Sequence, residues 1–79
     1  MHRWEWFTSG TKCQFGSDDR VFKRIGGDLN DCLGACLFYS DKCLFFSYDT
    51  TNRVCIGCAV EPTEIDENYE TYAIVSESN

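Results

Sequence analysis

Seventy-nine residues with a net charge of −6, a pI near 4.5 and six cysteines bound the chain to one small domain and exclude several functions at once. An acidic surface opposes general affinity for nucleic acid, heparin-like polymers or anionic membranes, and no apolar run reaches the roughly 20 residues of a membrane-spanning helix. An even cysteine count at this density points to a disulfide framework, hence to an oxidising, extracellular or cell-surface setting.

Crosslinks supply what so short a chain lacks in core, since each bridge closing a loop of roughly 20 residues contributes about 3 kcal/mol in the chain-entropy view. No signal-peptide pattern opens the sequence. Met1 is accordingly read as belonging to a cut-out piece or to processing already complete.

In chain order, Arg3 to Phe7 (RWEWF) alternates residues of high strand preference and predicts a first strand, with Ser9-Gly10 as the turn that closes it. The segment then breaks at Gly16-Ser17-Asp18-Asp19. It resumes over Arg20 to Ile25 as a second strand ended by Gly26-Gly27. Asp28 is placed to cap a helix, and Asp31 lies in its first turn, where the dipole favours an anion.

Leu29, Cys32, Leu33, Cys36 and Leu37 share one helical face, so both cysteines point into the core. Gly34 costs that helix about 1 kcal/mol relative to alanine. Ser40-Asp41-Lys42 closes it, and Cys43 to Tyr48 predicts a central strand apolar on both faces. Carrying the alternation on from Cys43 puts Phe45 under the helix, with Phe46 and Tyr48 on the other side.

Asp49 to Asn52 is a polar turn, and Arg53 to Cys58 returns as the partner strand of a hairpin. Cys55 and Cys58 lie on opposite strand faces, so Cys55 can meet the helix while Cys58 is directed elsewhere. Glu61 to Glu70, acidic and carrying Pro62, is expected to be a loop. Thr71 to Val75 is a short closing strand.

Several chemistries are weighed against this layout. Cys55-Ile56-Gly57-Cys58 is a CxxC, but it falls in a strand pattern rather than at the helix N-terminus that activates a redox thiol. A zinc site of Cys32, Cys36, Cys55 and Cys58 needs reduced thiolates and leaves Cys13 and Cys43 unexplained. His2 is the one histidine and sits at the terminus, and no nucleophile has a recognisable base partner, so no catalysis is expected. Glu61, Glu64, Asp66, Glu67 and Glu70 lack the ligand spacing and turn glycine of an EF-hand calcium loop and are read as solvated. Neither a metal nor another cofactor is expected, and no Asn-x-Ser/Thr sequon occurs.

Two surface features carry the functional hints. Trp4 and Trp6 share a face of the first strand, either as a stacking platform or as cover for the sheet face opposite the helix, with Arg3, Glu5 and Phe7 on the reverse. Tyr69 and Tyr72 are weaker candidates of the same kind. Arg20, Lys23 and Arg24 form either an anion site or, beside Asp18 and Asp19, a solvated turn. The ligand site is assigned to Trp4, Trp6, Arg3 and Glu5.

The stretch DCLGACLFYSDKCLFFSYDTTNRVCIGC, Asp31 to Cys58, resembles the PAN/apple family. Its marks are Cys32-x3-Cys36, a third cysteine at 43, the aromatic strand Phe45-Phe46-Ser47-Tyr48 after it, a fourth cysteine at 55, and a closing strand like Glu70 to Val75. The resemblance implies a small disulfide-rich α+β domain over residues 1–79, one central helix packed on a twisted antiparallel sheet. It also implies the pairs Cys32–Cys55 and Cys36–Cys43, and Cys13–Cys58 is then the pair that remains. That last pair departs from the apple subtype, whose outer cysteines join the two ends of the domain. The implied function is non-catalytic extracellular recognition or adhesion, binding protein or carbohydrate as one module of a larger secreted or surface protein. The alternative is a structural tile that associates with copies of itself in an array, coat or fibre.

Overall fold

The computed structural model describes residues 2–14, 20–39 and 42–76, with side chains described over 4–14, 20–39 and 42–74. The breaks expected at residues 16–19 and 40–41 lie outside that set. In chain order the elements are β1 (His2–Lys12), β2 (Arg20–Ile25), α1 (Leu29–Phe38), β3 (Phe45–Asp49), β4 (Val54–Cys58) and β5 (Glu64–Ser76). The strands make one five-stranded sheet in the order β1-β5-β3-β4-β2, each neighbouring pair antiparallel. The protein is thus a small disulfide-rich domain with one helix on an antiparallel sheet.

The aromatic strand β3 takes the central position, flanked by β5 and β4. At its far end the buried Asp49 carboxylate accepts hydrogen bonds from the Thr51 N–H (2.9 Å), the Asn52 N–H (3.2 Å) and the Asn52 Nδ2 (2.9 Å). These bonds satisfy the donors of the β3–β4 turn, so the turn is closed by the side chain that opens it.

Helix α1 begins with a reciprocal capping box. Asp28 accepts from the Asp31 N–H at 2.9 Å, and Asp31 accepts from the Asp28 N–H at 3.0 Å. Gly26 (φ 98°) and Gly27 (φ 84°) turn the chain from β2 into the helix in a conformation that side chains disfavour. The Tyr48 hydroxyl donates to the Gly27 carbonyl at 2.7 Å and fastens that turn to the sheet.

Three bridges staple these layers: Cys32–Cys55 and Cys36–Cys43 join the helix to β4 and to the approach to β3, and Cys13–Cys58 joins the end of β1 to β4 on the opposite face. All six sulfurs are consumed, so no thiolate is left for redox chemistry or zinc. The helix-side core holds Cys32, Cys36, Cys43, Cys55, Phe46 and Tyr48, while Cys13, Cys58, Ile56 and Tyr69 form a smaller cluster on the reverse.

Four expectations are corrected. Phe46 and Tyr48 lie under the helix and Phe45 on the reverse, against the Phe7 ring at 5.3 Å. The physical reason is that Cys43 and Leu44 precede the strand, so the two-residue alternation does not run through them. Ser9-Gly10 closes nothing: β1 continues to Lys12, and Gly10 (φ 81°) sits in a register irregularity between Ser9 and Thr11.

The acidic segment is likewise strand from Glu64 onward rather than loop to Glu70. Its carboxylates find a cross-strand partner, since Lys12 Nζ lies 2.8 Å from Asp66 and 3.4 Å from Glu64. Lastly, Trp4 covers the helix side of the sheet instead of the reverse, packing edge-on against Tyr72 at 4.9 Å.

The Lys12–Asp66 pair makes the first expected result. Its hydrogen bond to Asp66 raises the Lys12 pKa above 10.5, and the same bond lowers that of Asp66 below 3.8. The contribution of Asp66 is therefore complete above pH 3.8 and is lost as pH falls through its depressed folded value, while that of Lys12 is complete below 10.5 and lost above its raised one. Urea midpoints of the wild type and Asp66→Asn should differ slightly at neutral pH and converge in acid. A gap independent of pH would show that the pair contributes nothing.

Candidate functional site

Helix α1 and the edge strand β2 diverge to leave a groove of about 660 Å³ on the helix side of the sheet. That volume lies within the range of small-ligand and peptide-side-chain sites. One wall is aromatic. Phe22 of β2 stacks on Tyr39 at 5.4 Å and 20°, and Phe38 meets Tyr39 edge-on at 5.1 Å.

Two of these rings are held by a staple. Tyr39 caps the helix, its N–H donating to the Cys36 carbonyl at 3.1 Å. Its own carbonyl accepts from the Lys42 and Cys43 N–H groups, both at 2.8 Å. The Cys36–Cys43 bridge spans this tight return and so fixes where the aromatic pair stands. Phe22 is seated over Gly57 of β4, where its ring occupies the space a side chain at 57 would need.

The helix wall is low because Gly34 carries no side chain and Ala35 a small, buried one. Phe38 stands out from it, 80% exposed, and meets Tyr39 rather than the core. Lys23 and Arg24 border the opposite wall, both exposed. Asp31 borders the groove as well, but its carboxylate is engaged in the capping box. Arg24, opposite Cys55, shares the helix-side face with Phe22, whereas Lys23, opposite Ile56, turns its side chain to the reverse, so the arrangement offers stacking faces beside one cation, a combination suited to an anion that carries an apolar or planar group.

The basic cluster expected over residues 20–24 is divided by the fold. Arg20 lies part-buried opposite Cys58, and its guanidinium donates to the Cys13 carbonyl at 3.0 Å, beside the third bridge. Of the other two, Arg24 stands on the groove side opposite Cys55, while Lys23, opposite Ile56, borders the groove at the strand edge with its side chain on the reverse face.

The residues assigned to a ligand from the sequence lie on the other edge strand. Trp4 is half-buried among Tyr72 and Phe46, Trp6 is 58% exposed, and Glu5 is exposed opposite Ala73. Arg3 pairs with Val75 through the backbone, and its side chain lies outside the described residues. Tyr69 and Tyr72 are taken up by packing, Tyr69 beneath the Lys12 ammonium at 5.1 Å from the ring centre.

Phe38 and Tyr39 were passed over in the sequence, although a signal was present. Phe38 falls nine positions after Leu29, on the side of the helix away from the apolar stripe, and an aromatic there has no core to enter.

No family model, curated protein or solved structure matches this chain. Its class therefore rests on architecture: a small disulfide-rich domain with one helix on a five-stranded antiparallel sheet.

Proposed function

We propose that the domain is a PAN/apple-like, non-catalytic recognition module working outside the cell, and that it binds its protein or carbohydrate ligand in the groove between α1 and β2. The observation that carries this reading is the exposed ring of Phe38, set beside Tyr39 and Arg24 in a cleft whose helix wall is stapled by two disulfides. A preorganised cleft loses little freedom on binding, which is how a small surface reaches useful affinity. Three bridges in so small a domain are typical of extracellular proteins. The cysteine and aromatic pattern over Asp31 to Cys58 supports the family reading.

The test is a screen of the oxidised domain against soluble glycans and secreted proteins, repeated with variants checked for folding. Phe38→Ala and Tyr39→Ala should each weaken the hits by about 1 to 3 kcal/mol, as central aromatic anchors do. Loss confined to Trp4→Ala and Trp6→Ala would move the site to β1, where Trp6 is exposed. Concentration-dependent assembly without any captured ligand would favour the self-associating tile.

A further inference from the structure

We infer that the groove takes an extended acidic peptide, which adds to the outer edge of β2 as a sixth strand and sets an apolar side chain among Phe22, Phe38 and Tyr39. The inference rests on the groove being the recognition site and goes on to name the partner's chemistry.

The first observation is the edge itself. β2 ends the sheet, and among the described residues no strand lies on the side of it away from β4. The Gly26 N–H donates to the Arg53 carbonyl at 2.7 Å, so it faces β4. Alternation along an antiparallel strand then turns the Arg24 amide toward β4 and the N–H and C=O groups of Lys23 and Ile25 outward. Such groups form a template for another chain, whose backbone bonds supply affinity while alternate side chains supply specificity.

The second observation is that the groove lies along that edge, since Phe22, Lys23 and Arg24 are consecutive in β2 and all border it. A strand added there would pass the aromatic wall. Its side chains on the helix side would meet the rings, and Ile25, 77% exposed, offers a further apolar contact at the end of the edge.

The third observation is charge. β2 reads Arg20-Val21-Phe22-Lys23-Arg24-Ile25, cationic and without an acid, in a chain whose net charge is −6. Cations on an edge strand commonly serve to prevent edge-to-edge pairing. That protection is selective, however. A second copy laying its own β2 alongside would set cations against cations, whereas an acidic strand would gain from the same groups that repel the copy.

The experiment uses the oxidised full chain and three probes: a blocked decapeptide alternating glutamate with valine and one central phenylalanine, the same peptide N-methylated at alternate positions, and a heparin-derived hexasaccharide. Binding of the first should slow hydrogen exchange at the Lys23 and Ile25 amides by roughly tenfold or more, as new strand bonds form. N-methylation should abolish binding, because it removes those bonds but keeps the charge. Lys23→Glu with Arg24→Glu should weaken the peptide by about tenfold, an effect that fades with salt.

Ile25→Pro, which deletes an outward N–H and leaves the bonds to β4 in place, should weaken the peptide while near-ultraviolet circular dichroism stays native. Equal binding of the methylated peptide, or tight binding of the hexasaccharide without amide protection, would overturn the strand proposal in favour of a polyanion site. If no acidic peptide binds while Phe38→Ala still removes a ligand found by screening, the strand proposal fails and the recognition reading stands. If Phe38→Ala and Tyr39→Ala leave every screened ligand untouched, the groove itself is wrong.

Discussion

Replacing Cys13 and Cys58 together by alanine should destabilise the domain by about 4 kcal/mol, more than the loss of either helix bridge. The bond spans a sequence separation of 45, against 23 for Cys32–Cys55 and 7 for Cys36–Cys43. Loop-closure entropy grows with the logarithm of that span, which puts the shortest bridge at about 2.5 kcal/mol. A domain of this class is stable by only about 5 to 15 kcal/mol in total, so the melting temperature should fall by roughly 15 to 30 °C.

The Cys13–Cys58 bridge also anchors the reverse-face cluster with Ile56 and Tyr69, and the Arg20 bond to the Cys13 carbonyl depends on it. Urea unfolding of the three double-alanine variants, with intact mass confirming the remaining pairs, gives the order directly. A Cys36/Cys43 variant weaker than the Cys13/Cys58 variant would refute the entropic ranking. Full reduction should unfold the chain, and it should do so slowly under native conditions. Every cysteine is at most 2% exposed, so a reductant must wait for the structure to open.

The second large effect is expected at Phe46. Its side chain is fully buried, stacked on Tyr72 at 5.2 Å and 19° and edge-on to Trp4 at 6.5 Å, in the cluster that contains both helix disulfides. Truncation to alanine should cost about 3 to 5 kcal/mol, the transfer loss plus a cavity that the disulfide-braced walls cannot collapse to fill. Phe45, half-buried and packed on the partly exposed Phe7, should lose distinctly less on the same substitution. The comparison locates the main core, because neighbouring residues of one strand report on opposite faces. A larger loss at Phe45 than at Phe46 would place the helix on the wrong side of the sheet.

The local signals in the chain were strong where one element carried its own information. Asp28 and Asp31 announce the start of α1 through hydrogen-bonding chemistry that needs only three residues, and of the apolar stripe Leu29, Cys32, Leu33 and Cys36 join the helix-side core. The strand at Arg20 to Ile25, the central place of the aromatic strand and the opposite facing of Cys55 and Cys58 follow from alternation and turn chemistry in the same way. Alternation misled only where the strand had not yet begun, at Cys43 and Leu44.

What lay beyond the sequence depended on partners distant in the chain. Glu64 to Glu70 is polar enough to pass for a loop, and it becomes strand because β1 supplies a backbone ladder and Lys12 supplies a charge more than fifty residues away. Arg20 looked equivalent to Lys23 and Arg24 until the fold brought the Cys13 carbonyl to it. The groove is wholly tertiary, made where the C-terminal turn of a helix and the edge of a sheet fail to close, with Gly34 lowering one wall and Gly57 seating the ring of the other. The sequence by itself determined a stapled helix-and-sheet frame, because caps, turns and hydrophobic period act over a few residues. Only the tertiary structure decided which aromatics face solvent and which cations stand beside them, because burial is set by what packs from elsewhere in the chain.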